Sequence, residues 1–166
     1  FPQLEKSPGK IRDARVVNYG VDTNFYRPDG EKEDYFVYIG RPHPAKGVHI
    51  IIAIAERHPE YKFKLAWKAT SKDHKAYEKQ YLKDIKRLPN IEFVEMPMNE
   101  GHHELKRLLY QRAKAFINPI QYVEAFGLTM VESLACGTPV ITTKWGACPE
   151  VISDGETGIL CDSLDD

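Results

Sequence analysis

The sequence contains little cysteine, no long apolar run and almost no net charge. Its three cysteines, Cys136, Cys148 and Cys161, form no C-x-x-C pair, which predicts reduced, packed thiols in a cytosolic protein rather than a disulfide framework. No apolar run is long enough to cross a membrane, although peripheral membrane contact is left open. The net charge of −1 argues against a surface that binds nucleic acid.

Two phosphate-binding fingerprints are also missing. The sequence has neither the G-x-G-x-x-G spacing of dinucleotide-binding proteins nor a Walker loop, which excludes the NAD-dependent and ATPase classes. A glycine-bounded loop, residues 40–47, does follow the apolar run 35–39, and it carries Arg41 and Lys46. A strand, such a loop and a helix form the first unit of a nucleotide-binding α/β fold. Ligands of these folds bind at the carboxyl ends of the strands, so both cations are candidate ligand contacts.

Apolar segments of strand length alternate with longer segments of helix length. This alternation predicts one α/β domain, Rossmann-like, with a doubly wound parallel sheet of about six strands in the order 3-2-1-4-5-6 and helices on both faces. Residues 1–14 are expected to form an irregular lead-in and residues 15–166 the domain, with a short additional strand in 15–22. The predicted strands are 35–39, 62–67, 91–95, 114–118, 139–143 and 158–161, and the main predicted helices are 48–58, 73–87, 102–112 and 127–136.

One long stretch of the chain is almost free of charge. Charged residues make up 28% of the sequence, yet residues 116–143 contain only Glu124 and Glu132, where about eight charges would be average for this composition. An ionised carboxylate is costly to bury without a partner, so each of the two needs an explanation. Glu132 lies inside the predicted helix 127–136. It either pairs with a core arginine or caps a loop, or it binds a hydroxyl-bearing ligand; the sequence leaves these alternatives open.

Glu124 comes just before the start of the same helix. The backbone N–H groups of Phe126, Gly127 and Leu128 would then be unpaired at a positive helix end, which is a ready site for a phosphate. Glycine at position 127 lets a ligand approach the backbone closely. The segment therefore suits a ligand that carries both hydroxyls and phosphates, such as a nucleotide sugar.

The segment also resembles a known family. Phe-Gly-Leu after Glu124, seven residues between Glu124 and Glu132, and Ala-Cys-Gly-Thr-Pro-Val-Ile from 135 to 141 are similar to the donor-site signature of the family-four retaining glycosyltransferases. Those enzymes have the GT-B fold, two Rossmann-like domains that face each other across a cleft. The resemblance implies that this chain is the C-terminal, donor-binding domain. Its partner would be an N-terminal acceptor-binding domain outside this chain, through which peripheral membrane association is left open.

The resemblance assigns roles to individual residues. Arg41 and Lys46 would stabilise the donor diphosphate in place of a metal ion or cofactor, while Glu124 would contact the sugar hydroxyls and Glu132 the ribose hydroxyls. The substrate would be a nucleotide diphosphate sugar from which a hexosyl group is transferred. The candidate catalytic residues are thus Arg41, Lys46 and Glu124, and the candidate substrate-binding residues are Gly40, Met96, Phe126, Gly127, Leu128, Thr129 and Glu132.

Three further segments bear on the predicted site. The loop 96–98 lies where the family holds the nucleobase, but its methionines can equally be packing residues. Residues 68–71, Lys-Ala-Thr-Ser, replace a glycine-rich turn of the family, and Lys68 is a candidate to replace the backbone N–H groups of that turn. His102 and His103 are adjacent and have no metal-ligand spacing, which predicts surface or capping residues.

Other functions remain compatible with the same fold. One is the half of a GT-B sugar-nucleotide epimerase or phosphorylase. Another is a non-catalytic interaction domain, which predicts an ordinary ion pair at Glu132 and no open pocket at residues 40–47.

Overall fold

The fold is a single six-stranded parallel sheet with helices on both faces. The computed structural model describes residues 15, 17–99 and 101–163, and the strand order is β3-β2-β1-β4-β5-β6, which confirms the predicted order. The strands are β1 Phe36–Ile39, β2 Phe63–Trp67, β3 Ile91–Glu95, β4 Ala115–Asn118, β5 Val140–Thr143 and β6 Gly158–Cys161. The helices are α1 Val48–Arg57, α2 Lys72–Ile85, α3 Gly101–Arg112, α4 Leu128–Ala135 and α5 Cys148–Val151, with a single 3-10 turn at Pro44–Lys46.

Two apolar clusters sandwich the sheet. Successive side chains of a strand point to opposite faces, and in β1 Val37 and Ile39 join one cluster while Tyr38 joins the other. The Val37 cluster includes residues of α3, α4 and α5, and the Tyr38 cluster includes residues of α1 and α2. Burial on both faces of the sheet explains why the strand sequences are continuously apolar and do not alternate between apolar and polar residues.

The predicted element boundaries differ from the structure by one or two residues, with one larger exception. The short strand predicted in 15–22 is wrong, because its described residues, 15 and 17–22, have no strand conformation. Val17 is 89% and Tyr19 70% exposed; apolar character alone does not make a strand where no neighbouring strand accepts its hydrogen bonds. The predicted lead-in, residues 1–14, lies outside the described residues. At α2, the Ser71 side chain accepts a hydrogen bond from the His74 N–H and so fixes the start at Lys72.

None of the helices within the described part of the chain has both the length and the apolarity needed to cross a lipid bilayer.

The loop between β1 and α1 packs directly against the end of β4. Gly47 has a φ of +74° and links the 3-10 turn to α1. A Cβ at this position would lie 2.1 Å from the Pro119 backbone oxygen. The Gln121 N–H donates to the Ala45 carbonyl over 2.8 Å. Two adjacent parallel strands therefore bring residues 45–47 and 119–121 together at the same edge of the sheet.

We expect Gly47→Ala to lower the free energy of unfolding by more than about 3 kcal/mol, because it combines left-handed strain with a backbone collision. Gly30→Ala is the matched control: its φ is +72°, and a Cβ there would meet nothing within 4 Å. That control should lose only about 1 kcal/mol. Urea unfolding of both variants measures the difference; equal losses would show that the contact with Pro119 contributes nothing.

Candidate functional site

A cavity of about 560 Å³ lies at the carboxyl edge of the sheet. The first three strands end beside it, as Ile39, Ala66, Trp67 and Met96 in its wall show. A volume of this size is typical of small-molecule sites, and the carboxyl edge is where open α/β sheets bind ligands. We call it the large cavity; its wall includes five of the candidate residues, Gly40, Arg41, Lys46, Met96 and Thr129.

Arg41 follows β1 and lies at the surface of the large cavity. Its backbone carbonyl accepts a hydrogen bond of 3.0 Å from the Tyr38 hydroxyl, which holds the loop in place. A Cβ at Gly40 would lie 2.6 Å from that same hydroxyl. Among the described residues, no carboxylate forms an ion pair with the guanidinium of Arg41. Its planar set of donors is therefore available to an anionic ligand.

Lys46 and Glu124 meet through a tyrosine. The Lys46 ammonium donates a hydrogen bond to the Tyr122 hydroxyl, which in turn donates to Glu124 Oε2. The direct distance from Lys46 Nζ to Glu124 Oε2 is 3.6 Å, and Nζ lies 4.5 Å from the centroid of the Tyr122 ring. Tyr122 thus separates the two charges by a hydroxyl group while stabilising both.

The surroundings of Lys46 and Glu124 shift the pKa of both side chains. Burial lowers the pKa of Lys46, and the nearby charge of Glu124 opposes this shift only in part. For Glu124, burial alone would raise the pKa. The hydrogen bond from Tyr122, the charge of Lys46 and the backbone N–H groups of Phe126 and Ala125 together hold its pKa below the ordinary value. Glu124 is therefore ionised at neutral pH.

A smaller cavity of about 270 Å³ opens at the start of α4. Gly127 caps the helix with a φ of +87° and no side-chain capping bond. The Ala125 N–H donates a hydrogen bond of 3.1 Å to Glu124 Oε1, so the carboxylate lies close to this helix start. The predicted role of the Phe126, Gly127 and Leu128 N–H groups as phosphate donors stays a prediction. We call this the helix-start cavity, and its wall is formed by Tyr19, Lys46, Glu124, Ala125, Phe126, Gly127, Leu128 and Thr129. Lys46 and Thr129 border both cavities.

Glu132 is buried in α4 and does not form part of either cavity wall. Its Oε2 lies 2.5 Å from Nζ of Lys106, a residue of α3 that is also buried. The ion pair predicted as one alternative is therefore present, although the partner is a lysine and not the expected arginine. Lys106 itself lines the large cavity, so it lies between Glu132 and that space.

Tyr26 extends the contacts of Glu132. The Tyr26 hydroxyl is 3.2 Å from Nδ1 of His103. Burial raises the pKa of Tyr26, and the charge of Glu132 and a hydrogen bond to it raise it further. The Tyr26 hydroxyl therefore contacts His103 in the wall of the large cavity, and its pKa is sensitive to the charge of Glu132, which is paired with Lys106.

Several residues of the large cavity were not predicted to lie there. His102 and His103 were expected to be surface or capping residues, yet both line it, and Nδ1 of His102 is 3.2 Å from the Pro97 oxygen. Lys68, the candidate to replace backbone N–H groups, lines the same wall and is ion-paired with Glu95. Of the two methionines, Met96 is buried in the core while Met98 is exposed, so Met96 has the packing role that was its alternative interpretation.

Residues 24–166 match the model of the family described as glycosyl transferases group 1. The chain belongs to this family. The match contains the whole of the segment 118–141, so the resemblance that the sequence showed is confirmed. Relatives include a glycogen synthase of Mycobacterium tuberculosis, 32% identical over 93% of this chain and 37% of its own length. Another is a D-inositol 3-phosphate glycosyltransferase of Mycobacterium sp. (strain JLS), 29% identical over 90% of this chain and 36% of its own length.

Solved structures share the fold of this group 1 glycosyl transferase domain. A sucrose-phosphate synthase from Thermosynechococcus elongatus superimposes with a TM-score of 0.78 at 22% identity, over 99% of this chain and 44% of that chain. An Anabaena protein solved in complex with UDP and glucose superimposes with a TM-score of 0.72 at 23% identity, over 90% of this chain and 43% of that chain. The C-terminal domain of a Francisella tularensis group 1 glycosyl transferase superimposes with a TM-score of 0.69 at 25% identity, over 88% of this chain and 83% of that chain. The group 1 domain thus has the Rossmann-like fold of one half of a GT-B protein and spans just over a third of its curated relatives.

We expect Lys106→Met to destabilise the group 1 domain by about 3 kcal/mol, because Glu132 would be left as an unpaired buried charge. Combining it with Glu132→Gln should recover most of that loss. Urea unfolding of the two single variants and the double variant gives the coupling energy. Lys114→Met is the control, since Lys114 pairs with Asp34 at the surface, and its free energy of unfolding should fall much less because an exposed ion pair contributes little. Equal losses for Lys106→Met and Lys114→Met would contradict a buried pair.

Proposed function

We propose that this chain binds the nucleotide sugar donor of a retaining glycosyltransferase that transfers a hexosyl group. The observation that supports this most is the large cavity. It lies at the carboxyl ends of β1, β2 and β3, has the volume of a small-molecule site, and has Arg41 and Lys46 from the loop after β1 and Thr129 of α4 in its wall. Membership of the group 1 family and a structural neighbour solved with UDP and glucose point in the same direction.

In the proposed mechanism, Arg41 and Lys46 act on the diphosphate. Negative charge grows on this group as the bond to the sugar breaks, and fixed cations stabilise it most when they need no rearrangement. Arg41 has a guanidinium that is not ion-paired within the described residues, and Lys46 is held by Tyr122. We therefore propose that no metal ion or cofactor is needed.

Glu124 and the start of α4 would hold the sugar. Glu124 lies in the helix-start cavity beside Lys46, so a sugar there would be next to a diphosphate in the large cavity. An ionised carboxylate accepts hydrogen bonds from sugar hydroxyls. We propose that the N-terminal domain of the GT-B enzyme binds the acceptor and supplies any general base. We also propose that membrane contact, where it occurs, is made through that domain.

Glu132 is proposed to accept hydrogen bonds from the ribose hydroxyls. Among the described residues, no donor satisfies its Oε2 with hydrogen-bond geometry, although the Lys106 ammonium lies close by. The oxygen can therefore accept a ligand hydroxyl once the Lys106 side chain has moved aside. A cytoplasmic location, where nucleotide sugars meet a reducing environment, is consistent with Cys136 and Cys148, whose thiols are not joined in a disulfide.

The rival function of a non-catalytic interaction domain made two predictions. It required an ordinary ion pair at Glu132, which is present, and a closed surface at residues 40–47, which is not, because Gly40, Arg41 and Lys46 line an open cavity. The geometry therefore favours a ligand-binding domain.

Calorimetric titration of the chain with UDP-, GDP- and ADP-sugars should find one donor that binds. In the Arg41→Ala and Lys46→Met variants its affinity should fall at least about tenfold, because each loses a charge-assisted contact to the diphosphate. Lys83→Ala, on the exposed side of α2, is the control and should bind normally. Absence of binding by every donor to the unaltered chain would refute the proposal. Addition of a chelator should not change the affinity.

Tyr122→Phe should weaken binding of a nucleoside diphosphate by about tenfold while leaving the matching nucleoside unaffected. The variant keeps the aromatic ring but removes the hydroxyl that accepts from the Lys46 ammonium and donates to Glu124, so Lys46 loses the contact that would hold it in place for the diphosphate. Titration with both ligands separates this effect from general damage to the cavity. An equal loss for nucleoside and diphosphate would rule out a role through Lys46.

A further inference from the structure

The wall of the helix-start cavity combines polar side chains with aromatic ones. Its polar residues are Lys46, Glu124 and Thr129, and its aromatic residues are Tyr19 and Phe126. A pyranose ring has the same division, because its hydroxyl groups point outward around the ring while C–H groups cover its faces. The cavity therefore offers both hydrogen-bond partners and an apolar surface to one sugar ring.

Tyr19 is a part of this wall that was not among the candidate residues. It lies in the segment before β1, outside any helix or strand, and its side chain is 70% exposed. Its ring contacts that of Phe126, with 5.6 Å between the centroids and an interplanar angle of 62°. Two residues further on, Val21 packs against the core and anchors the segment. Tyr19 is thus held in the cavity wall while most of its surface stays available to a ligand.

We propose that Tyr19 is a specificity-determining residue, whose ring receives the C–H face of the donor sugar while Glu124 accepts hydrogen bonds from the sugar hydroxyls. This inference rests on the proposed transferase function and adds to it a residue and a class of sugar. C–H groups are stabilised when they leave water for an exposed aromatic ring, and the negative face of the ring attracts them. Tyr19 does not line the large cavity, so its contact is with the sugar and not with the diphosphate.

The charges of the helix-start cavity favour an uncharged sugar. Glu124 is an ionised carboxylate, and the cation of this wall, Lys46, is assigned to the diphosphate. An acidic sugar, such as a uronate, would bring a second carboxylate into a space of about 270 Å³ beside Glu124. Because like charges held this close repel each other, the cavity selects a neutral hexose.

Calorimetric titration of the chain tests the role of Tyr19 by comparing UDP, GDP and ADP with UDP-glucose, GDP-mannose and ADP-glucose. The ratio of the affinity for the nucleotide sugar to that for its diphosphate isolates the contribution of the sugar. In Tyr19→Ala this ratio should fall about fivefold, while the affinity for the diphosphate changes less than about twofold. Tyr19→Phe keeps the ring and should keep the ratio. In saturation-transfer NMR, the sugar protons should lose signal relative to the base protons in Tyr19→Ala.

The selection for an uncharged sugar has its own measurement. The nucleotide sugar that binds is compared with its uronate, in which the 6-hydroxymethyl group is oxidised to a carboxylate. The uronate should bind at least about tenfold more weakly, because it meets the charge of Glu124.

Tyr61→Ala is the matched control. Tyr61 is also exposed and contacts a phenylalanine ring, that of Phe36, at the same centroid distance of 5.6 Å. It lines neither the helix-start cavity nor the large cavity, so this variant should leave the affinity ratio unchanged. The melting temperatures of all three variants check that their folds are retained.

The results separate this inference from the donor proposal. If a diphosphate binds but the ratio stays the same in Tyr19→Ala, or falls equally in Tyr19→Phe or Tyr61→Ala, the role of the Tyr19 ring is overturned while the donor site stands. Equal binding of the neutral sugar and its uronate overturns the selection for an uncharged sugar. If none of the diphosphates and nucleotide sugars binds, the proposed function fails and the inference fails with it.

Discussion

The site depends on one backbone contact, between the loop after β1 and the segment after β4. Gly47 packs against the Pro119 carbonyl, and the Gln121 N–H donates to the Ala45 carbonyl. Because β1 and β4 are neighbours with crossovers on opposite faces of the sheet, their loops separate elsewhere and leave a crevice beside this contact. The contact fixes where Lys46 lies relative to Tyr122 and Glu124, and thereby how the large cavity and the helix-start cavity lie relative to each other.

The cavity region combines many cations with local charge balance. Each of the three lysines that border the large cavity lies beside a glutamate: Lys46 beside Glu124, Lys68 beside Glu95 and Lys106 beside Glu132. Each ion pair offsets the cost of partly burying the lysine when no ligand is bound. Arg41 differs from them, since it is exposed and has no carboxylate partner among the described residues. Arg41 is therefore the cation of this wall whose charge is not already balanced by a neighbouring carboxylate of the described chain.

Much of the fold could be predicted from the sequence. Burial on both faces of the sheet makes each strand a continuous apolar run, such as residues 35–39. The rules for crossover connections then restrict the order of the strands in the sheet. The strand predicted in 15–22 failed because, within the described part of the chain, no strand pairs with the apolar residues Val17 and Tyr19. Within the candidate site, Arg41, Lys46 and Glu124 could be named from the sequence because their segments carry a recognisable pattern, and each lies in a cavity wall. Tyr122 and Lys106 were missed, since nothing in a sequence shows that a tyrosine hydroxyl bridges two charges or that a lysine on one helix reaches a glutamate on another.

A single ammonium, that of Lys46, borders both the large cavity and the helix-start cavity. Whatever occupies one of these two spaces changes the field and the position of a group that the other space shares. Their occupants are therefore thermodynamically linked, and such linkage is reciprocal: a diphosphate that alters the affinity for a second ligand has its own affinity altered by the same factor. Cooperativity between ligands is in this way built into the shared wall, without any movement of the sheet.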